Sequence, residues 1–303
     1  MKKLLIFILS AGVAGPATAD GAASEIKARY DGSYAEARAV CAGISAKIDG
    51  IKIMAGVGIG AGAVGTIGGA VATIAGILKY SRDKIALKKP TGEEISAAGS
   101  ELASASKSPV DLTAPAGAAP GKSYDKKSVM LGNVRTIGAG VAGAGGAAGA
   151  ITSFMGAGKF DELISDINAC GAHIVEMERR KTELSFAAPD DPALPGMEKI
   201  IAGCKGMSGK NIADVKGRMT AAGILSAVGG AAGIAGAITS AVAVSKEKRG
   251  ADAMTDTKGL NMAANISSGV AAAGNLGGTI LSGVVLAGLN RNGDIAKNCA
   301  ELF

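Results

Sequence analysis

Hydrophobic and polar positions along this chain fall into two kinds of stretch. Residues 53–78, 136–158, 219–245 and 259–290 contain no charged side chain. Strands rarely exceed ten residues, so uncharged runs of this length predict helices. Each is also longer than the roughly 18–20 residues needed to cross a bilayer core. The flanking stretches are amphipathic. Ile26, Tyr30, Tyr34, Ala37, Cys41, Ile44 and Ile48 step by three or four, as do Phe160, Leu163, Ile167, Cys170, Ile174 and Met177, and Ile295, Cys299 and Leu302. That period places each apolar set on one helix face directed at a partner.

The pattern occurs twice. Cys41-Ala-Gly-Ile-Ser-Ala-Lys47 returns as Cys204-Lys-Gly-Met-Ser-Gly-Lys210, and Ser81-Arg82-Asp83-Lys84 as Ser245-Lys246-Glu247-Lys248. From Leu131 onward the second half repeats at a constant offset that carries Ile137 onto Ile266 and Cys170 onto Cys299. Each unit reads cysteine, long apolar segment, polar loop, long apolar segment, cysteine. The expected organisation is a signal peptide at 1–19, an N-terminal amphipathic helix at 20–40 and a first helical hairpin at 41–170. A charged helix and Pro-rich hinge at 171–203, a second hairpin at 204–299 and a tail at 300–303 complete it. Residues 82–127 of the first hairpin, with Pro90, Pro109, Pro115 and Pro120 among Ser, Ala and Lys, predict a flexible loop. The fold class expected is all-α: two tandem antiparallel hairpins forming a bundle of four long helices.

Composition decides how such helices would pack. The chain has 47 glycines and no tryptophan, and only 3% of its residues are aromatic. Glycine inside a helix costs about 0.5–1 kcal/mol relative to alanine, so close packing must offset it. Every uncharged stretch carries GxxxG, at Gly65/Gly69, Gly145/Gly149, Gly229/Gly233 and Gly274/Gly278. The first and third pairs are repeat-equivalent, as are the second and fourth. Two absent side chains on one face let a neighbouring backbone approach, which makes these eight glycines the expected helix-packing positions.

Lys2-Lys3, the apolar run to Gly15 and Ala17-Thr18-Ala19 have the form of a secretory signal. An exported chain with four cysteines predicts two disulfides with three possible connectivities. Cys41 lies 12 residues before its uncharged stretch and Cys170 lies 12 after its own. Cys204 and Cys299 are 15 before and 9 after theirs. An antiparallel hairpin then brings Cys41 and Cys170 to one height, and the second pair has the same total offset, predicting Cys41–Cys170 and Cys204–Cys299; pairing across the copies is the alternative. With no CxxC and only His173 as a histidine, no metal site is expected.

The segment Gly56-Val-Gly-Ile-Gly-Ala-Gly62 resembles the glycine-zipper segments of bacterial envelope proteins, rickettsial surface-antigen types among them. That resemblance implies envelope association and no enzymatic activity. Many such proteins are lipoproteins, and this chain has no cysteine near the expected cut.

Other motifs have plainer readings. Gly60-x-Gly62-x-x-Gly65 and Gly138-x-Gly140-x-x-Gly143 match the dinucleotide fingerprint, but that chemistry requires a strand, a loop and then a helix, and here the glycines lie inside uncharged helical stretches. Gly117-Ala-Ala-Pro-Gly121-Lys122-Ser123 is one residue too short for a P-loop. Ser45/Lys47 and Ser208/Lys210 are spaced i, i+2 and do not face each other on a helix. The charge run from Glu176 to Glu183 reads as a solvated face or, alternatively, a partner surface. The net charge of +6, two units of it in the leader, is too mild for nucleic-acid binding. No catalytic residue, cofactor or small-molecule substrate is expected. The expected partners are a membrane and further copies of the chain meeting through glycine faces. The expected address is the inner membrane of the cell envelope with the cysteines on the periplasmic side, or alternatively a soluble periplasmic or secreted location. From Lys79 to Arg135 there are ten Lys/Arg, which by the positive-inside rule favours that loop in the cytoplasm. The function expected is structural or assembly, with pore formation, or a soluble periplasmic helical bundle with a binding role, as the alternatives.

Overall fold

The computed structural model describes residues 16–88, 125–207 and 209–303. Six helices occupy them: α1 Pro16–Cys41, α2 Ile44–Lys88, α3 Lys126–Ala187, α4 Leu194–Cys204, α5 Gly209–Lys248 and α6 Lys258–Glu301. There is no strand among the described residues. The protein is an all-α bundle of four long helices, α2, α3, α5 and α6, each apolar enough over part of its length to cross a membrane.

Local chemistry explains the breaks. Ala188 precedes Pro189 and follows the last residue of α3; a residue before proline is pushed out of helical geometry. Asp191 then accepts the backbone N–H of Ala193 at 2.9 Å and pairs with Lys27 at 2.9 Å, and Pro195 begins the first turn of α4. After α5 the chain reverses at Gly250, whose φ of 95° favours glycine. The amides of Gly250 and Ala251 return to the carbonyls of Glu247 and Lys246, closing the end of α5 as a Schellman motif.

Two expectations change here. Residues 82–88 and 126–127 are helical rather than loop, so α2 and α3 run further than charge alone suggests. The reason is pairing. Arg82 bonds Asp125 at 2.7 Å, a partly exposed pair that ties the end of α2 to the start of α3. Residues 89–124, the rest of the expected loop, lie outside the described residues, as does the expected leader up to residue 15. Residues 16–19 form the first turn of α1.

Asp125 also caps α3 by accepting the amide of Lys127 at 3.0 Å. The Arg82 guanidinium, helped by backbone amides, holds its carboxyl below the usual carboxylate range. Its folded-state value is therefore below its unfolded one. The contribution is complete above the ordinary carboxylate range and fades as pH falls through the folded value. Asp125→Ala is expected to cost about 0.5–2 kcal/mol at neutral pH, as a helix cap does. The difference from the parent should shrink in thermal melts at strongly acidic pH.

The chain divides into two compact units, and neither is a repeat copy. Among the described residues, unit 1 comprises 16–56, 154–207, 209–220 and 282–303; unit 2 comprises 57–88, 125–153 and 221–281. Both draw on both copies. The division follows side-chain size rather than sequence order, because the amphipathic flanks build one kind of core and the glycine-rich stretches another.

Unit 1 has a core of large side chains. Ile44, Ile48, Phe160, Leu163, Met177, Leu184, Ile212, Met219 and Leu289 are fully buried together with Cys41, Cys170 and Cys299. Its charges stay at the surface and pair there: Lys47 with Glu162 and Asp166, Lys216 with Asp161, and Lys205 with Glu178. The charge run on α3 is tied up in the same way. Arg180 meets Glu176 at 2.6 Å and Glu183 at 2.8 Å, and Lys181 reaches Glu198 on α4 at 3.2 Å. His173 stands 3.3 Å from Glu36 on α1.

Unit 2 is built the other way round. Its buried aliphatics are Ala72, Ala75, Ala139, Ala142, Ala150, Ala222, Ala243, Ala264 and Ala271, with nothing larger than Val129 and Val244. Its branched side chains face outward: Ile67 is 64% exposed and Ile137 67%, and Ile74, Ile77, Ile234, Ile238, Ile266 and Ile280 are also exposed.

Candidate functional site

The glycine pairs lie where helices of unit 2 come closest. A Cβ added at Gly145 would stand 2.6 Å from the Ala61 carbonyl oxygen and the Gly65 amide, and one at Gly274 would stand 2.8 Å from the Leu225 carbonyl and the Gly229 amide. These are the same contact in the two copies. Between copies, a Cβ on Gly69 would meet the Ala272 amide at 2.7 Å, while one on Gly233 would collide with the Gly143 amide. Those positions are repeat-equivalent too. Gly149 faces Ser226, and Gly278 faces Ser226 and the Ala222 carbonyl. All eight expected packing glycines therefore lie against another helix, which is why no larger interior residue fits. Every neighbouring pair runs antiparallel: α2 with α3, α5 with α6, α2 with α6 and α3 with α5.

Asn275 interrupts this symmetry. It occupies the position of Gly146 in the first copy and is fully buried. Its amide donates to the Ala142 carbonyl at 3.0 Å, while its Oδ1 has no hydrogen-bond partner among the described residues. Added Cβ atoms at Gly65, Gly146 and Gly229 would all strike this side chain. One polar group thus fills the space that three absent side chains leave.

A buried ionic cluster forms the other notable feature of unit 2. Lys79 on α2 is 1% exposed and places its ammonium 2.7 Å from Asp83, 3.0 Å from the Ser128 hydroxyl and 3.1 Å from Glu247. Ser128 donates to Asp83 at 2.6 Å; Thr257 donates to Glu247 at 2.9 Å. Asp83 and Glu247 are repeat-equivalent acids, and Ser128 and Thr257 are repeat-equivalent hydroxyls. The duplication has produced two acid–hydroxyl pairs that share one lysine.

Arg135 on α3 is fully buried. It donates to the Ser240 hydroxyl at 2.8 Å, to the Asn261 side-chain and backbone oxygens at 2.6 and 3.3 Å, and to Asn265 at 3.1 Å. The positions equivalent to Lys79 and Arg135 in the second copy are the buried Ala243 and Ala264. Two cations from one copy are thus balanced by one acid from each. A cavity of about 300 Å³ adjoins the cluster, lined by Gly76, Lys79, Tyr80, Arg135, Lys258 and Met262 among others. All three ammonium donors of Lys79 are taken, and the arrangement ties α2, α3 and α5 together.

The cysteines of unit 1 pair as Cys41–Cys170 and Cys204–Cys299. The sequence signal was equal spacing from the uncharged stretches for Cys41 and Cys170, and the same summed spacing for Cys204 and Cys299. That signal did not reveal that the sulfurs of Cys41, Cys170 and Cys299 all lie within 4.8 Å of one another. The ionic cluster was also missed, because charges at the ends of apolar stretches read as solvent-facing anchors. The usable clue was that Asp83 and Ser128 recur as Glu247 and Thr257 while Lys79 and Arg135 do not.

No family model, curated protein or solved structure matches this chain.

Proposed function

We propose that this protein is a non-enzymatic structural or assembly component of a bacterial cell envelope, exported by a leader at residues 1–19. Unit 2 is built for lipid and unit 1 for water, with the cysteines of unit 1 on the exported side. The observation that carries this reading is the opposite construction of the two units. Water favours large apolar side chains inside, as in unit 1. Lipid tails are as apolar as leucine, so a membrane bundle gains little by burying leucine and instead packs through small residues, as unit 2 does. In water, unit 2 would expose Ile67, Ile137, Ile238 and Ile280 around a core of alanine and glycine.

Dimensions agree. The uncharged residues 57–78 of α2 within unit 2 extend about 33 Å at 1.5 Å per residue, against a hydrocarbon core of about 30 Å. The resemblance of Gly56–Gly62 to glycine-zipper envelope segments points the same way. The ionic cluster also suits this setting, since charges near lipid are tolerated when paired within the bundle.

Carbonate extraction and detergent partitioning of membranes holding the full-length chain test the proposal. The expected result is retention in the membrane at alkaline pH and partition into detergent; recovery in the soluble fraction would overturn it. Permeabilisation is a second reading. It is favoured by Gly140 and Gly269, repeat-equivalent glycines beside which an added Cβ meets nothing within 4 Å, leaving room for further copies. Dye release from liposomes by the purified chain distinguishes the two, being absent for a scaffold and present for a pore-former.

A further inference from the structure

We infer that the two disulfides of unit 1 form a single thiol–disulfide exchange site that passes reducing equivalents from one bridge to the other, with a dithiol as its substrate class. Neither the fold nor the envelope role requires this, and it does not depend on unit 2 lying in lipid. It rests on one juxtaposition. The sulfurs of Cys41, Cys170 and Cys299 come from three helices and all lie within 4.8 Å of one another. Two of them are bonded together, and the third is bonded to Cys204. Exchange proceeds by attack of a thiolate on a neighbouring disulfide sulfur, and Cys299 is already beside such a pair.

The four cysteines differ in position. Cys41, Cys170 and Cys299 are fully buried, whereas Cys204 retains 3% exposure. Cys204 is also the last residue of α4, and the turn after it carries the exposed Lys205. Cys204 is buried too, but fraying of this helix end would open the way to its sulfur, which makes it the point of entry for an external thiol.

The sequence of steps balances. One thiolate of the dithiol bonds to Cys204 Sγ, the Cys204–Cys299 bond breaks, and the electron pair leaves on Cys299 Sγ. The Cys299 thiolate then bonds to the sulfur of Cys41 or Cys170; the bond between those two breaks, and the displaced sulfur takes up a proton. The second thiol of the dithiol closes on its first sulfur and frees Cys204 as a thiol. The dithiol has lost two electrons and two protons, and the chain has gained them. One disulfide remains, and it now ties α6 to α1 or α3. Helix α4 has lost its covalent tether. A thiol in an apolar core resists ionisation, so the internal step accelerates as pH rises.

The test uses the full-length chain. Cys204→Ser leaves Cys299 as a thiol beside the intact Cys41–Cys170 bridge. The variant is held at pH 8 to 9 under non-denaturing conditions, with its helix content checked by circular dichroism. It is then acid-quenched, alkylated and mapped by peptide mass spectrometry. Alkylation is expected to spread over Cys41, Cys170 and Cys299, with Cys299-linked peptides growing in time. Their formation should be at least as fast as attack by about 1 mM of an external small thiol, because a neighbouring group acts at an effective concentration in the millimolar range or above. Alkylation confined to Cys299, with Cys41–Cys170 the only bridge, would overturn the inference.

A second measurement covers loss of folding in the variant. The wild-type chain is titrated with limiting dithiothreitol and mapped in the same way. Two-thiol species that pair Cys204 with Cys41 or Cys170 are expected. If every two-thiol species carries Cys204 with Cys299, or Cys41 with Cys170, the bridges do not communicate and the inference fails.

Discussion

Lys79→Met is expected to destabilise the folded chain by about 3–5 kcal/mol, the usual cost of removing one partner from a buried ion pair. The ammonium of Lys79 is the shared partner of Asp83 and Glu247, at 2.7 and 3.1 Å. Without it two buried carboxylates face each other across an apolar gap. Glu247 fares worse, since its Oε2 already lacks a hydrogen-bond partner among the described residues. The effect should reverse when the acids are neutralised as well. Lys79→Met combined with Asp83→Asn and Glu247→Gln is expected to recover most of the loss, because neutral amides can still meet Ser128, Thr257 and Asn261. Thermal unfolding followed by circular dichroism reads both variants. If Lys79→Met alone melts with the parent, the cluster does not hold the helices together.

Gly145→Ala and Gly274→Ala are each expected to cost about 1–3 kcal/mol, the range for overpacking a close-packed interior. The added methyl meets backbone in both cases: the Ala61 carbonyl and Gly65 amide in one, the Leu225 carbonyl and Gly229 amide in the other. Backbone inside a continuous helix cannot swing aside as a side-chain end can, so whole helices must separate. The control is Gly140→Ala or Gly269→Ala, where nothing lies within 4 Å. Those substitutions should raise stability by about 0.5–1 kcal/mol, through the intrinsic preference of helices for alanine. Opposite signs at glycines only five residues apart would establish close approach, rather than composition, as the reason for the glycines. Equal effects at Gly140 and Gly145 would refute it.

Both predictions treat the duplication as a physical object. The contacts Gly145–Gly65 and Gly274–Gly229 are copies of each other, so each copy tests the other. At three buried positions of unit 2 the copies differ in polarity: Lys79 against Ala243, Arg135 against Ala264, and Asn275 against Gly146. Two identical hairpins packed by pseudo-twofold symmetry could slide or exchange. Unequal buried polar groups remove that freedom, in the way a single buried asparagine sets register in a coiled coil.

Local chemistry along the chain pointed to the helices, the two copies and the packing glycines, and favoured the two disulfide pairs over pairing across the copies. Each of these follows from spacing. Uncharged length implies helix, GxxxG places two gaps on one face, and equal distance from an apolar stretch brings Cys41 and Cys170 to one height. What the chain order could not convey was decided by tertiary structure. The compact units cut across the copies, because cores assemble by side-chain size, and Ile44 and Leu289 share one core regardless of the residues between them. Asp83 and Glu247, 164 positions apart, converge on one lysine, so charges that resemble loop markers become interior, and α2 and α3 extend beyond them. Cys299 comes beside Cys41 and Cys170 for a similar reason. Pairing within a hairpin is a matter of register, but proximity between hairpins depends on how two finished helical surfaces fit.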